Sequence, residues 1–363
     1  MQPFELHPLR FKRDWPMARA LEAALSVRQQ QGTLTFRQSE ELVMNELLPA
    51  LERMGKGPKS PSFDLFEFSR LAAMCLAWGQ WRMEGARIVW LTDTLRDAFA
   101  ASSVEDVRLE DLRLPYACMY LGFTPRADLT LAGGYPIEGA YLFHHPQALR
   151  IVLTARAPED MPWHERALLA YDLRIAPEHF GLGLQAALDA ALADDLADLR
   201  KAHAQIAQHA RTPQVPSALQ GAQRGIQHHM DNRQALGQAA AILANALCYL
   251  TAYPQDSQER WTAKAPPKLT QQTGEGSAAQ KRSALSKLWA LGHTRVQVLG
   301  EEFEHQAQSG QGVAAHWRRG HWRRQAHGPS LSLRKLLWIR PTRVLGEGVP
   351  QPSVLKVQPV ARH

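Results

Sequence analysis

Leu112–Phe123 reads LRLPYACMYLGF, and two runs of the same kind follow it, Gly139–Phe143 (GAYLF) and Leu149–Thr154 (LRIVLT). Short apolar, aromatic and β-branched runs bounded by Pro and Gly are strand signals. They predict a small central antiparallel sheet. On either side the pattern turns helical. Ser39–Met54 carries Leu42, Val43, Leu47, Leu48 and Leu51 at helical spacing behind a Ser39-Glu40-Glu41 start signal, with Pro49 placed to kink or end its last turn. After a turn-rich break at Gly55–Ser62, Phe63–Arg82 is again helix-like, and Ile88–Asp93 (IVWLTD) is a strand or a helix start. Beyond the sheet, Leu182–Ala210 and Ala218–Leu250 read as two helices. The fold class expected is α+β: a mixed helical body over residues 1–251 with a small central antiparallel sheet.

Periodicity is lost over residues 252–283, where Pro, Gln, Gly and Ser gather, so this stretch reads as a linker. Two strand-like runs follow, Thr294–Leu299 (TRVQVL) and Leu333–Ile339 (LRKLLWI). They predict a basic β-rich C-terminal module over 284–349, with 350–363 as a loose tail.

Of 363 residues, 45% are hydrophobic and 21% charged, the balance of a folded chain. The net charge of +7 is unevenly spread: residues 261–363 hold 16 Lys and Arg against 5 Asp and Glu, which leaves the remainder acidic. A basic end on an acidic body points to a polyanionic partner. Cys75, Cys118 and Cys248 are far apart, which argues against a disulfide framework or a cysteine-rich zinc site. Charged residues at Glu5, Arg10, Lys12, Arg13 and Asp14 exclude a signal-peptide core there, and the longest apolar run, Ala239–Leu250, is too short to cross a bilayer. The expectation is a cytoplasmic protein with no membrane partner, no cofactor and no metal.

The chemistry-bearing segment is His316–Arg324, HWRRGHWRR, in which one four-residue unit occurs twice. Arginine grips phosphate with a planar fork, tryptophan stacks on bases, and histidine exchanges a proton near neutrality. As a nucleic-acid site it offers Arg318, Arg319, Arg323, Arg324, Lys335 and Arg340 to phosphates, with Trp317 or Trp322 to stack. As a catalytic site, His316 and His321 would act as base and acid on RNA, with the arginines holding the charge of the phosphorane. The ordinary alternative is a basic strand with core tryptophans and solvated arginines. Strand or helix geometry is left open by the spacing. Arg224-Gly-Ile-Gln-His-His229 is similar to the loose R-x4-6-H pattern of the HEPN ribonucleases, which would make Arg224 and His229 a second catalytic pair. Tyr116, Tyr120, Tyr135 and Tyr141 gather around the central strands, where an aromatic groove would hold a peptide or a base. Other motifs fail: Gly55–Ser60 has the wrong order for a phosphate loop, Gly181-Leu-Gly183 lacks a third glycine, and His164-Glu165 has Leu168 where a zinc ligand would stand.

Leu114-Pro115 with Tyr120, then His316–Arg324, Gly328-Pro329 and Trp338-Ile339-Arg340-Pro341 together resemble the large type V-A anti-CRISPR family carried by mobile elements. The tail likeness spans Gly292 to Val344. That family's tail reads H-x-R-R-x-H-W-H with a W-x-P-P-I ending; here Arg323 replaces the last histidine and Thr342 follows a single Pro341. The resemblance implies counter-defence against production of a CRISPR effector, acting on RNA, a ribonucleoprotein or the translating ribosome. Three readings stay open: an RNA-binding accessory protein, a metal-independent ribonuclease or toxin, and an inhibitor that captures a peptide of a host or defence-system protein, nascent or complete.

Overall fold

Six consecutive residues, Cys118–Phe123, are buried along a single strand, which happens only where both faces of a sheet are covered. The computed structural model describes residues 6–15, 18, 20–24, 36–53, 65–112, 115–145, 148–157, 161, 167–179, 182–208, 215–301, 303, 316–318 and 320–344. Its helices are α1 (His7–Asp14), α2 (Phe36–Arg53), α3 (Leu65–Met83), α4 (Asp93–Ala100), α5 (Leu184–Gln208), α6 (Val215–Ala252), α7 (Pro267–Glu275) and α8 (Ala278–Ala290). Its first strands are β1 (Ile88–Leu91), β2 (Ser102–Ser103), β3 (Cys118–Phe123), β4 (Thr130–Leu131), β5 (Tyr135–His145), β6 (Ala148–Arg156) and β7 (Ala167–Ile175). The remaining strands are β8 (Ser257–Trp261), β9 (Arg295–Leu299), β10 (His316–Arg318), β11 (Gly320–His327), β12 (Leu333–Ile339) and β13 (Thr342–Val344).

The main sheet runs β7-β6-β5-β3-β1-β9-β8, with β4 added on β5. Its β3–β7 half is the expected antiparallel sheet. The other half goes beyond the expectation: β1 runs parallel to both β3 and β9. Strand alternation sorts side chains to two cores. Met119, Leu121, Phe123, Leu142 and Ile151 point to the face covered by α5 and α6, while Cys118, Tyr120, Tyr141 and Val152 face α1, α2 and α3. Gly139 sits at a bulge between β5 and β6 with φ +152°, and a Cβ there would lie 2.4 Å from the Leu121 carbonyl oxygen.

The stretch 252–283, read as a linker, contains β8, α7 and the start of α8. These elements lack apolar periodicity because they lie at the sheet edge: β8 alternates little, and α7 buries only Thr273. A capping box between Ser277 and Gln280 starts α8. Nor does the C-terminal stretch build a core of its own. β9 lies between β1 and β8, and β11 pairs with β12 and, in parallel, with β2. Trp322 and Trp338, directly opposite one another across β11–β12, stack at 6.0 Å and belong to the α6-side core.

That stack is fastened by hydrogen bonds. Trp322 Nε1 donates to Asn245 Oδ1 at 2.7 Å, and Asn245 Nδ2 donates to the carbonyls of Phe99, Ser102 and Ala241. Trp338 Nε1 donates to Ser102 Oγ at 3.1 Å. Asn245 is thus a buried residue with both polar ends used, in the middle of the otherwise apolar half of α6. Asn245→Leu orphans the Trp322 N–H and is expected to lower unfolding free energy by about 1–3 kcal/mol, read as a lower urea midpoint. An unchanged midpoint would show that the contact carries no stability.

On the opposite face, His7 is buried against Tyr120 and Tyr141, and its Nδ1 lies 3.2 Å from the Tyr141 hydroxyl. Burial, with Arg10 and Arg156 nearby, holds its pKa well below the usual imidazole value of 6.5. The unfolded chain therefore takes up this proton first as pH falls. The cost is absent above 6.5 and accumulates from there down toward the depressed folded value. Stability measured from pH 7.5 to 5 is expected to decline, and to decline less in His7→Phe; equal slopes would refute the assignment.

Candidate binding cleft and the basic hairpin

The HWRR repeat is strand, not helix. Its second copy lies on β11, where alternation turns Trp322 inward and leaves His321 and Arg323 exposed. Trp322 is 1% exposed, so it packs in the core and is not free to stack on a base. Arg324 turns toward the body, with Nη2 3.1 Å from Asp111 Oδ1 and 3.8 Å from Glu110 Oε1. Lys335 and Arg340 are exposed, the latter with its guanidinium 5.3 Å from the Phe303 ring. In the first copy, His316, Trp317 and Arg318 give the backbone of β10, paired with β13, while Arg319 lies outside the described residues, as does the tail 350–363. The hairpin's outer surface thus keeps a cationic patch of Arg323, Lys335 and Arg340.

Arg224 and His229 do not form an exposed pair. Arg224 faces solvent, whereas His229 is fully buried beneath Tyr171. The Tyr171 hydroxyl donates to the Asp195 carboxylate, so its oxygen is left to accept from His229 Nδ1. An imidazole with no exposed surface cannot reach an RNA phosphate. Tyr120 and Tyr141 are also fully buried, edge to face at 4.9 Å, because β3 and β5 pair them on the α1–α3 side. They are core residues and line no groove. Tyr116 and Tyr135 are half-buried, and of the four tyrosines Tyr116 alone lines a large cleft at the ends of β8 and β9.

That cleft, of ≈ 1300 Å³, opens where α1, α8 and the α3–β1 turn meet the ends of β8 and β9. Trp289 on α8 is its centre. The ring has Lys12 Nζ 4.1 Å and Arg82 Cζ 4.5 Å from its centroid, each cation–π contact contributing about 0.5–2 kcal/mol. Its Nε1 donates to Glu22 Oε1, which also accepts from Arg82 Nε at 2.7 Å. Lys12 Nζ in turn donates to the Trp289 carbonyl. The indole is therefore held in one orientation by three charged side chains from three other helical segments.

Two more rings carry cations across the cleft. Arg295 lies 5.1 Å from the Trp261 ring and is held by Glu259 at 2.9 Å and Thr273 at 3.1 Å. Arg87, exposed, lies 5.1 Å from the Tyr116 ring, and the Tyr116 hydroxyl donates to Gln297. His293 at the same cleft has its pKa lowered by burial, so it offers a neutral imidazole. The lining thus alternates aromatic faces with guanidinium and ammonium groups, tempered by Glu22 and Glu259. This is binding chemistry. The three cysteines are buried elsewhere, with the Cys75 thiol pushed up to about 12 by burial and those of Cys118 and Cys248 pushed higher still. Among the described residues no group of three or more His, Cys, Asp or Glu side chains could hold a metal ion.

Sequence reasoning missed this site for a physical reason. Trp289, Trp261 and Arg295 lie in or beyond the segment read as a linker, and Lys12, Glu22 and Arg82 come from the other end of the chain. The legible signal was the density of Trp and cations between residues 259 and 297.

Comparison with known proteins bears on the role of the chain as a whole. A solved structure described as the crystal structure of AcrVA2 aligns with a TM-score of 0.43 and 11% identity, over 92% of this chain and 95% of that one. None of the curated proteins compared matches. The model of the AcrVA2-like family, described as the anti-CRISPR type V subtype A2 family, matches residues 89–346, most of the chain; this protein belongs to that family, and its role is counter-defence against CRISPR.

Proposed function

We propose that the protein exerts this role by capturing a peptide segment of a defence-system protein, nascent or complete, in the Trp289 cleft. The observation that carries the reading is the orientation of Trp289 by Lys12, Arg82 and Glu22, beside the cation-flanked rings of Trp261 and Tyr116. Fixed aromatic and arginine side chains in a concave site are the usual anchors of protein recognition, since little entropy is lost when they bind. The excess of cations over Glu22 and Glu259 favours a segment that combines apolar side chains with acidic ones. Binding a peptide as it emerges from the ribosome would place the protein beside the message being translated, which agrees with an action on effector production.

A second reading rests on a different surface. His321, Arg323, Lys335 and Arg340 are exposed on the β11–β12 hairpin, a patch suited to phosphates. With Trp322 in the core, contact there would be electrostatic and indifferent to base identity.

Overlapping peptides that tile a type V-A effector, titrated against the full chain, separate the two. Trp289→Ala is expected to weaken the best peptide at least tenfold, about 1.4 kcal/mol, while Arg323→Ala with Lys335→Ala leaves it unchanged. No peptide bound at any salt, with RNA binding lost in the hairpin variant, would replace the peptide reading by the RNA one.

A further inference from the structure

We propose that the peptide taken up at the Trp289 cleft binds as an added β-strand on the free edge of β8, an inference that rests on the peptide reading above and deepens it. β8 ends the main sheet: it pairs with β9, and among the described residues no strand lies on its other side. The direction of its backbone groups follows from one hydrogen bond. Just past β8, Thr262 N–H donates to the Thr294 carbonyl at 3.1 Å, continuing the ladder to β9. In an antiparallel pair, alternate residues turn both backbone groups toward the partner strand. Gln258 and Arg260 therefore bond to β9, while the N–H and C=O groups of Ser257, Glu259 and Trp261 point away from the sheet. No backbone partner among the described residues takes them, and the side chains of Gln258, Glu259 and Arg260 are exposed. Such a row of outward groups is a template for another chain.

The edge and the cleft meet on the same residues. Ser257, Glu259 and Trp261 share one face of the strand, and on that face Glu259 and Trp261 line the Trp289 cleft opposite Gln297 and Arg295 of β9. An extended segment laid along the five residues of β8 turns every second side chain to this face, about 5 Å from its opposite number. The ladder would hold any extended backbone, and the cleft would select among sequences. Trp261 favours an apolar side chain beside it. One carboxylate, Glu259, serves both Arg295 at 2.9 Å and Arg87 at 4.0 Å, which leaves a positive charge beside the edge for an acidic side chain. A second copy of this chain is a poor occupant, because full-length antiparallel pairing of two β8 edges sets Glu259 against Glu259.

The tightest peptide of the tiling series, titrated against the full chain, tests this in two ways. N-methylation of one peptide amide at a time leaves every side chain in place. Strand addition predicts a period of two: at least tenfold weaker binding for every second amide, and less than about threefold for those between. In the protein, Glu259→Pro removes an outward N–H and leaves the β8–β9 bonds of Gln258 and Arg260, a position in which an edge strand accommodates proline. It is expected to bind at least tenfold more weakly than Glu259→Ala, which loses the same carboxylate and keeps the amide. The methylation scan uses the parent chain, so it decides even where the proline variant fails to fold. A peptide that depends on Trp289 but shows no two-residue period overturns strand addition and leaves the peptide reading standing. Binding of no peptide at all overturns both.

Discussion

The contact on which the molecule depends is the stacked pair Trp322–Trp338 locked onto Asn245. Three distant parts of the chain meet there: the end of α4 with Ser102, the middle of α6, and the C-terminal hairpin. Phe99 and Tyr249 pack edgewise on Trp338, so the polar atoms of the lock are enclosed by rings. A buried amide with every donor and acceptor used specifies one arrangement, because any shift orphans several groups at once. This is why the segment richest in Arg and Trp adds little to solvent-facing chemistry beyond its outer strand face. Trp322 holds the hairpin down, Arg324 pairs with Asp111, and Arg323 stays on the exposed patch.

With the hairpin fixed in this way, the opposite end of the sheet is where the chain presents oriented aromatic side chains. The cleft around Trp289 forms where helices from both ends of the sequence meet the strand ends, and ion pairs hold its rings in place. For a counter-defence protein that must recognise something in the cell, a sheet with clefts at its margins supplies such sites.

Much of the scaffold was legible in the sequence because it follows periodicity. The helices read at 39–54, 63–82, 182–210 and 218–250 fall on α2, α3, α5 and α6, and the strands read within 112–123, 139–143, 149–154, 294–299 and 333–339 fall on β3, β5, β6, β9 and β12. The parallel join of β1 to β3 and β9 was not legible, since IVWL alone does not say which neighbours it will have. β8, α7 and α8 were hidden because they bury few apolar residues, so their pattern resembled a linker. The site was hardest to see. A motif such as HWRR displays residue types but not which way they face, and the burial of Trp322, His229, Tyr120 and Tyr141 is set by partners far off in the chain. Trp289 becomes a site only when Lys12, Glu22 and Arg82 are brought to it.

Native-state hydrogen exchange on the full chain tests the central claim most directly. If the hairpin shares the core of the sheet, the amides of Trp322 and Trp338 should be protected to the same opening free energy as those of Leu121 and Leu142. If the two tryptophan amides exchange orders of magnitude faster than the β3 and β5 amides, the C-terminal segment is a separately opening appendage and the account is wrong.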